Sequence, residues 1–169
     1  MSRQTQTSPV AVVMGSNNDL PVMEGCISML KEFGIQPVVR ILSAHRTPDA
    51  AMSFAEKAKE NGTRVIIAAA GMAAHLAGAI AARTALPVIG VPLAASESPA
   101  GLDALLSTVQ MPPGVPVAAV AIGKAGAKNA AVLAVQILAL SDPDLAQKLD
   151  NFREAQTEKV LKLDANLEY

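Results

Sequence analysis

Short apolar runs and longer amphipathic stretches alternate five times along the chain, with glycine, proline and polar residues between them. The apolar runs are rich in valine, isoleucine and alanine, which is typical of strands buried on both faces. They predict strands at 10–14, 37–42, 65–69, 87–91 and 115–122. The stretches between them predict a helix that ends at Gly34 and helices at 48–62, 73–84, 102–109 and 127–140, with a loop at 123–126 before the last.

A last segment, 142–163, has a helical pattern that is charged on most sides. Asp142 followed by Pro143 predicts an N-terminal cap and a first helical turn. One stripe runs along this helix and consists of Leu145, Leu149, Phe152, Gln156 and Val160. It predicts docking on the helix's own domain or on a neighbouring subunit, and the sequence leaves both open.

Strands and helices that alternate with short connections predict a parallel sheet with right-handed crossovers and helices on both faces. The predicted fold class is therefore α/β, a three-layer α/β/α arrangement with a five-stranded parallel sheet and a long C-terminal helix. We expect residues 1–9 to be disordered or extended, residues 10–163 to form one α/β catalytic domain, and residues 164–169 to be a tail.

Composition and charge narrow the choice of partners. Hydrophobic residues make up 51% of the chain and charged residues only 17%, so we expect further surface to be buried between subunits, against the alternative of an alanine-rich monomer. A net charge of −1 without a basic run argues against nucleic acid as a partner.

No apolar segment reaches the roughly 18 residues of a membrane span, and residues 1–8 lack the apolar core of a signal peptide. We expect a cytoplasmic protein without a membrane partner, and a packed, inert thiol at Cys26, the single cysteine.

The chain's two histidines each follow a predicted strand, among small and polar residues. His45 follows the strand 37–42, and His75 follows the strand 65–69. Ligands of an open α/β sheet bind beyond the carboxyl ends of its strands, so both histidines lie at the expected ligand edge. Histidine is also well placed to move a proton near neutral pH. The sequence therefore predicts acid–base chemistry at this edge.

The loop after the first predicted strand begins Gly15-Ser16 and ends at Asp19. Glycine allows a ligand to approach the backbone, the following helix start offers amide donors, and Ser16 adds a hydroxyl, so the loop suits an anion. Asp19 would repel a phosphate beside it, and we expect it to accept ribose hydroxyls or to cap the helix. The alternative is a simple capped turn without a ligand.

The loop after the second strand is a stronger signal, because Ser43, His45 and Arg46 place a hydroxyl, an imidazole and a guanidinium within four residues. Arg46 suits a phosphate or a carboxylate, and His45 can exchange a proton with whatever Arg46 holds. The alternative is a histidine that caps the next helix beside an arginine paired on the surface. The position of His45 at the ligand edge of the sheet favours the catalytic interpretation.

The third loop surrounds His75 with alanine and glycine and holds no carboxylate. A hydrogen-bonded structural role and direct chemistry are both open for His75. Two histidines without clustered carboxylates make a poor metal site, so we predict no metal. Further along, Glu97 is interpreted as a solvated loop residue and Asp103 as an acid at a helix start.

Six ordered motifs between residues 10 and 160 resemble a known enzyme family. They are Met14-Gly15-Ser16 through Asp19, Ser43-Ala44-His45-Arg46-Thr47-Pro48, Ala73-Ala74-His75-Leu76, and the segments 86–92, 109–112 and 121–126. In this order and spacing they resemble the 5-(carboxyamino)imidazole ribonucleotide mutases, class I catalytic subunits of the phosphoribosylaminoimidazole carboxylase family.

The resemblance implies a flavodoxin-like fold and a cytoplasmic homo-octamer with active sites at subunit contacts. It implies a role in de novo purine biosynthesis, in which the carboxylate of 5-(carboxyamino)imidazole ribonucleotide moves from the exocyclic nitrogen to carbon 4. A small-molecule ribonucleotide is then the ligand, with no metal, cofactor or covalent enzyme intermediate. A transient functional link to the ATP-dependent carboxyaminoimidazole ribonucleotide synthetase is also implied.

The matching positions imply roles for individual residues. Ser16 and Arg46 would bind the phosphate, Asp19 the ribose, and His45 would carry the proton, with His75 as the second catalytic residue. Further substrate contacts are implied for small and apolar loop residues: Gly15, Ser43, Ala44, Gly71, Ala73, Ala74 and Leu76. In this chemistry His45 protonates the nitrogen as carbon dioxide departs, and removes the proton from carbon 4 after that carbon has attacked the retained carbon dioxide.

The chain departs from the family pattern close to His75. The third motif commonly has Gly where Met72 stands and Pro where Ala77 stands, and the first loop often has Trp in place of Leu20. A related class carboxylates aminoimidazole ribonucleotide directly with carbon dioxide, and this reaction is the alternative. Arg46 favours the mutase, because the direct carboxylases typically carry Lys there.

Outside the family, the alternative is a non-catalytic nucleotide- or flavin-binding module on the same architecture. A flavin module usually needs aromatic residues beside the ring, and this chain has no Trp and one Tyr, Tyr169. A phosphorylated receiver needs an acid at the end of the third strand, where residues 68–71 are Ala-Ala-Ala-Gly. Loss of His45 would leave the activity of either module intact.

Overall fold

A computed structural model describes residues 7–95 and 99–168, and within them five parallel strands form one sheet in the order β2-β1-β3-β4-β5. The strands are β1 Val10–Met14, β2 Val38–Ile41, β3 Val65–Gly71, β4 Val88–Leu93 and β5 Ala118–Ala119. The α-helices are α1 Leu20–Glu32, α2 Pro48–Ala58, α3 Leu76–Ala81, α4 Leu102–Val109, α5 Gly123–Ala139 and α6 Pro143–Ala165. This strand order is flavodoxin-like, and it confirms the predicted three-layer α/β/α class.

The central strands are apolar along their whole length because helices cover both faces of the sheet. In β1, Val12 belongs to the core beneath α1, α5 and the start of α6, whereas Val13 belongs to the core beneath α2 and α3. Neither side chain is exposed to solvent. Successive residues of a strand point to opposite faces, so a sheet covered on both sides needs apolar residues at every position.

The last strand and its flanks differ from the prediction of a strand at 115–122 and a loop at 123–126. Only Ala118 and Ala119 pair with β4, at its outer edge, and Pro116 just before them has no amide hydrogen to donate. Residues 123–126 form the first turn of α5 rather than a loop. Gly126 packs there against the Ala121 carbonyl, closer than any side chain would allow.

Helix α3 spans Leu76–Ala81 and is shorter than the predicted 73–84. The residues before it form a tight turn in which the His75 amide donates to the Ala73 carbonyl at 2.8 Å. At its end the Arg83 amide donates to the carbonyl of Ile80, three residues back, which tightens the last turn and ends the helix. The sequence prediction missed both ends by a few residues.

Helix α6 begins as predicted, because the Asp142 carboxylate accepts the amides of Asp144 and Leu145 at 3.1 Å each. Its first half docks on its own domain: Leu145 and Leu149 are buried, and the ring of Phe152 meets that of Phe33 edge-on with centroids 5.3 Å apart. The second half is exposed, as at Val160 and the leucines that follow it.

Three sequence expectations fall wholly or partly outside the described residues: residues 1–6 of the N-terminus, the solvated Glu97, and Tyr169 at the end of the predicted tail. Asp103 lies in the first turn of α4, as predicted. No helix in the described part of the chain combines the length and the apolar character needed to cross a membrane.

Candidate active site

The loop after β1 closes its own hydrogen bonds. Ser16 caps a single 3-10 turn, Asn17–Asp19, by accepting the Asn18 amide at 3.2 Å on its hydroxyl oxygen. Asp19 reaches back and accepts the Ser16 amide at 2.8 Å, which completes a capping box. The Gly15 amide donates to the Ala69 carbonyl at 3.0 Å and ties the loop to β3. Both the capping and the ligand interpretations of this loop are therefore compatible with its geometry.

Asp19 is half-buried at the base of this loop. Desolvation raises the pKa of its carboxyl above the ordinary value, although hydrogen bonds from the Ser16 and Gly15 amides and the positive charge of Arg46 oppose the rise. A carboxylate has about four acceptor positions, so the Asp19 carboxylate retains capacity for ligand hydroxyls.

The loop after β2 is organised by the Ser43 hydroxyl. Its oxygen accepts the amides of His45 at 3.3 Å and of Arg46 at 3.1 Å, while the Ser43 amide donates to the Thr47 hydroxyl at 2.9 Å. These bonds fix the backbone of the loop and leave the side chains of His45 and Arg46 exposed. Ser43 therefore orients the two functional side chains through their own amides.

The loop after β3 is set by close backbone approach. A Cβ on Gly71 would lie 3.0 Å from the Leu93 carbonyl oxygen of β4, so a glycine fits here and a larger residue would push the strands apart. Met72 then adopts a left-handed backbone with φ of 55°, and Ala74 is buried. This turn brings His75 to the start of α3 at the same edge as His45.

The two histidines are in direct contact. His45 Nε2 lies 2.9 Å from His75 Nδ1, and the rings meet edge-on at 85° with centroids 5.0 Å apart. A hydrogen bond of this length requires one hydrogen between the two nitrogens, so one ring donates and the other accepts. The pair therefore shares a proton, and a proton gained or lost by His45 changes its bond to His75.

Arg46 joins the second loop to the first. Its Nη2 donates to the Gly15 carbonyl oxygen at 2.8 Å. The guanidinium has five donors in a planar fork, so it can hold this carbonyl and still offer donors to an anion. Arg46 thus lies between the Gly15–Asp19 loop and the histidine pair.

These loops enclose a cavity of about 510 Å³, within the size range of small-molecule sites. The described residues that line it are Gly15, Ser16, Asn18, Asp19, Ser43, Ala44, His45, Arg46, Ala70, Gly71, Met72, Ala73, Leu76 and Ala95. Ten of the twelve predicted site residues are among them.

Two predicted site residues do not line the cavity. Ala74 is buried beneath the turn, and His75 reaches the cavity through its bond to His45. Four lining residues were not predicted: Asn18, Ala70, Met72 and Ala95. Asn18 and Met72 lie inside loops already singled out, and Ala95 lies just beyond the carboxyl end of β4, where the ligand-edge rule applies equally. Among the described residues, no three His, Cys, Asp or Glu side chains are grouped to hold a metal ion.

Comparison with known proteins gives matches over almost the whole chain. The family model described as AIR carboxylase matches residues 9–159. The N5-carboxyaminoimidazole ribonucleotide mutase of Escherichia coli strain K12 is 52% identical over 162 residues, which cover 96% of this chain and 95% of that protein. The mutase of the same name from Saccharolobus solfataricus is 54% identical over 152 residues, covering 90% and 94%.

Solved structures share the fold. A crystal structure of Treponema denticola PurE superposes with a TM-score of 0.84 at 32% sequence identity, covering 95% of this chain and 98% of that one. The crystal structure of a single-substitution variant of Treponema denticola PurE2 superposes with a TM-score of 0.82 at the same identity and coverage. Similarity in sequence and in architecture therefore extends over both the sheet and the loops that form the cavity.

Proposed function

The chain belongs to the AIR carboxylase family, and from this premise we propose that it is an N5-carboxyaminoimidazole ribonucleotide mutase of de novo purine biosynthesis. Curated relatives with that name match at about half of all positions over at least nine-tenths of the chain. The observation that carries the proposal is the His45–His75 pair beside Arg46 at the edge of the cavity. An acid–base group and an anion-binding group at one cavity are what the reaction requires.

Substrate binding would use the polar part of the cavity. Arg46 and Ser16 bind the phosphate, for which the planar charged donors of Arg46 and the hydroxyl hydrogen of Ser16 are suited. Asp19 accepts the ribose hydroxyls. The small residues Gly71 and Ala73 let the imidazole ring lie against the backbone of the third loop.

The proton would be carried by His45. In its protonated form it donates to the exocyclic nitrogen as the bond from that nitrogen to the carboxylate carbon breaks, leaving aminoimidazole ribonucleotide and carbon dioxide. Carbon 4 then attacks the carbon dioxide, and neutral His45 removes the hydrogen from carbon 4. The proton count balances over the two steps, and His45 returns to its starting form.

His75 is a positioning residue in this scheme. Its Nδ1 lies 2.9 Å from His45 Nε2, so it fixes the plane of the His45 ring. It stabilises any protonation state of His45 in which one of the two rings has a hydrogen to donate to the other. Retained carbon dioxide reacts as an intramolecular partner, whereas its escape would make the second step bimolecular.

We further propose that the protein is a cytoplasmic homo-octamer with a transient functional link to the synthetase that makes its substrate. Large apolar side chains are exposed on one stripe of α4, at Leu102, Leu106 and Val109, and in the second half of α6. Burial of such patches between subunits is the usual way in which a chain with few charges covers its apolar surface. Sedimentation analysis of the purified protein tests the assembly.

Turnover on two substrates in parallel tests the reaction. One assay contains 5-(carboxyamino)imidazole ribonucleotide, and the other contains aminoimidazole ribonucleotide with bicarbonate at near-neutral pH. Fast formation of the carbon-4 carboxylate from the first alone supports the mutase. Efficient reaction from the second alone would identify the direct carboxylase, and activity in neither would favour a non-catalytic binding module.

A further inference from the structure

Met72 combines a strained backbone with an exposed apolar side chain at the cavity. Its φ of 55° lies in the left-handed region, where a side chain costs free energy that glycine avoids. The residue is 58% exposed, although it is large and hydrophobic. Strain of this kind persists where the surroundings enforce it, and it tends to occur at ligand-binding sites.

The surroundings of Met72 fix its backbone from both sides. Gly71 before it is pinned against the Leu93 carbonyl of β4, and after it the Ala73 carbonyl accepts the His75 amide at 2.8 Å. Ala74 is buried and anchors the turn to the core. The backbone is therefore held in place from both sides, and the side chain of Met72 lies exposed at the cavity.

Among the described lining residues, only Met72 and Leu76 have long apolar side chains. Leu76 is buried and forms part of the core beneath α3. The remaining apolar lining among the described residues is glycine and alanine, which cannot extend over a ligand. Met72 is thus the apolar side chain whose length and freedom allow it to cover the cavity.

We propose that Met72 closes over the heteroaromatic ring of the bound ribonucleotide and screens the reacting carbon from water. This inference rests on the proposed function and adds a residue to it. Methionine has three rotatable side-chain bonds and a polarisable sulfur that packs favourably on aromatic rings. A thioether over the ring would exclude water and slow the escape of carbon dioxide between the two steps.

Ligand binding by Met72→Ala tests the contact, with Met72→Leu as the matched control. Both variants keep a Cβ and the left-handed backbone, and only Leu keeps an apolar side chain of similar volume. Calorimetric titration with the ribonucleotide carboxylated at carbon 4 is compared with titration with ribose 5-phosphate, which lacks the ring. We expect Met72→Ala to weaken binding of the ribonucleotide about tenfold and to leave ribose 5-phosphate unchanged, with Met72→Leu close to wild type.

Retention of carbon dioxide is measured in the same variants. Turnover of 5-(carboxyamino)imidazole ribonucleotide in isotopically labelled bicarbonate reports carbon dioxide lost and replaced from solution. We expect Met72→Ala to incorporate several times more label than wild type, and Met72→Leu to incorporate little more. Thermal midpoints show whether either substitution has damaged the fold.

Equal weakening of both ligands in Met72→Ala, or no weakening of either, would overturn the role of Met72. The same holds if Met72→Leu loses ribonucleotide affinity as Met72→Ala does. If the wild-type protein binds the ribonucleotide but turns over neither substrate, the proposed function fails while the ligand comparison still decides the role of Met72. A wild-type protein that binds neither ligand overturns both.

Discussion

Replacement of His45 by asparagine separates a role in proton transfer from a role in the fold. His45 is exposed, and the hydrogen bond described for its ring goes to His75. Asparagine removes the imidazole and keeps a polar group of smaller size. Substitutions at such exposed positions change the free energy of unfolding by about 0.5 kcal/mol or less. We therefore expect the thermal midpoint and the assembly to remain as in wild type.

The effect on turnover should be far larger. Loss of a positioned acid–base group lowers the rate about 100- to 10,000-fold, which corresponds to roughly 3 to 5 kcal/mol of transition-state stabilisation. Both proposed steps use His45, first as acid and then as base, so no step escapes the loss. Because Arg46, Ser16 and Asp19 are unchanged, we expect substrate affinity to remain within a few fold of wild type.

The assay is initial-rate formation of the carbon-4 carboxylate from 5-(carboxyamino)imidazole ribonucleotide at several concentrations. His75→Asn is the matched control, because it removes the other ring of the pair and leaves the proton carrier in place. We expect it to retain more turnover than His45→Asn. Near-native turnover in a folded His45→Asn protein would refute the assignment, and a larger loss in His75→Asn would move the acid–base role to His75.

Three further predictions concern groups whose surroundings are well defined. Desolvation raises the pKa of the Asp19 carboxyl, so the folded protein binds the carboxyl proton more tightly than the unfolded chain does. The free energy of unfolding therefore falls as pH rises through the pKa that Asp19 has in the folded protein. Urea unfolding at a fixed protein concentration should show the stability of Asp19→Asn relative to wild type rising between about pH 3 and pH 7, and a flat or falling difference would contradict this. Burial raises the pKa of Cys26 to about 12, so a thiol reagent should label the native protein only as it unfolds, and rapid native labelling would contradict this. Gly126→Ala should lower stability by about 1–3 kcal/mol because the new Cβ overlaps the Ala121 carbonyl, whereas Gly25→Ala, whose Cβ meets Lys128 at 3.6 Å, should raise it; equal thermal midpoints would show that the backbone adjusts.

The sequence identified the sheet and the ligand edge because both depend on local patterns. The central strands are continuous apolar runs, and two of the strands are followed directly by a histidine-containing loop. Given a parallel sheet, the carboxyl ends of its strands meet at one edge, so His45 and His75 were both expected at that edge. The 2.9 Å contact between their rings depends in addition on the turn that starts at Gly71, which places His75 beside His45.

The differences from the prediction depend on contacts that the hydrophobic pattern of a segment does not show. Helix α5 begins at Gly123, where Gly126 has no side chain and fits against the Ala121 carbonyl. Strand β5 is short because only Ala118 and Ala119 pair with β4. Neither is encoded in the periodicity of the segment itself. Ala95 enters the cavity because β4 lies beside β3; its position after a strand agrees with the ligand-edge rule, but an alanine side chain carries no chemical signal that marks it as a site residue.

The three site loops differ in whether their hydrogen bonds stay within the loop or reach another loop. This difference determines which loop can change in sequence without disturbing the others. The first loop closes its bonds through Ser16 and Asp19, and the third closes its turn between Ala73 and His75. The second loop makes the side-chain contacts described between the loops, from Arg46 to the Gly15 carbonyl and from His45 to the ring of His75.

A substitution in the first or third loop that keeps Gly15, Gly71 and His75 therefore leaves the contacts of the second loop in place. A new sequence in the second loop alters both junctions at once. Variation that adapts the enzyme to other ligands should accumulate in the first and third loops. The second loop should be the slowest part of the site to change.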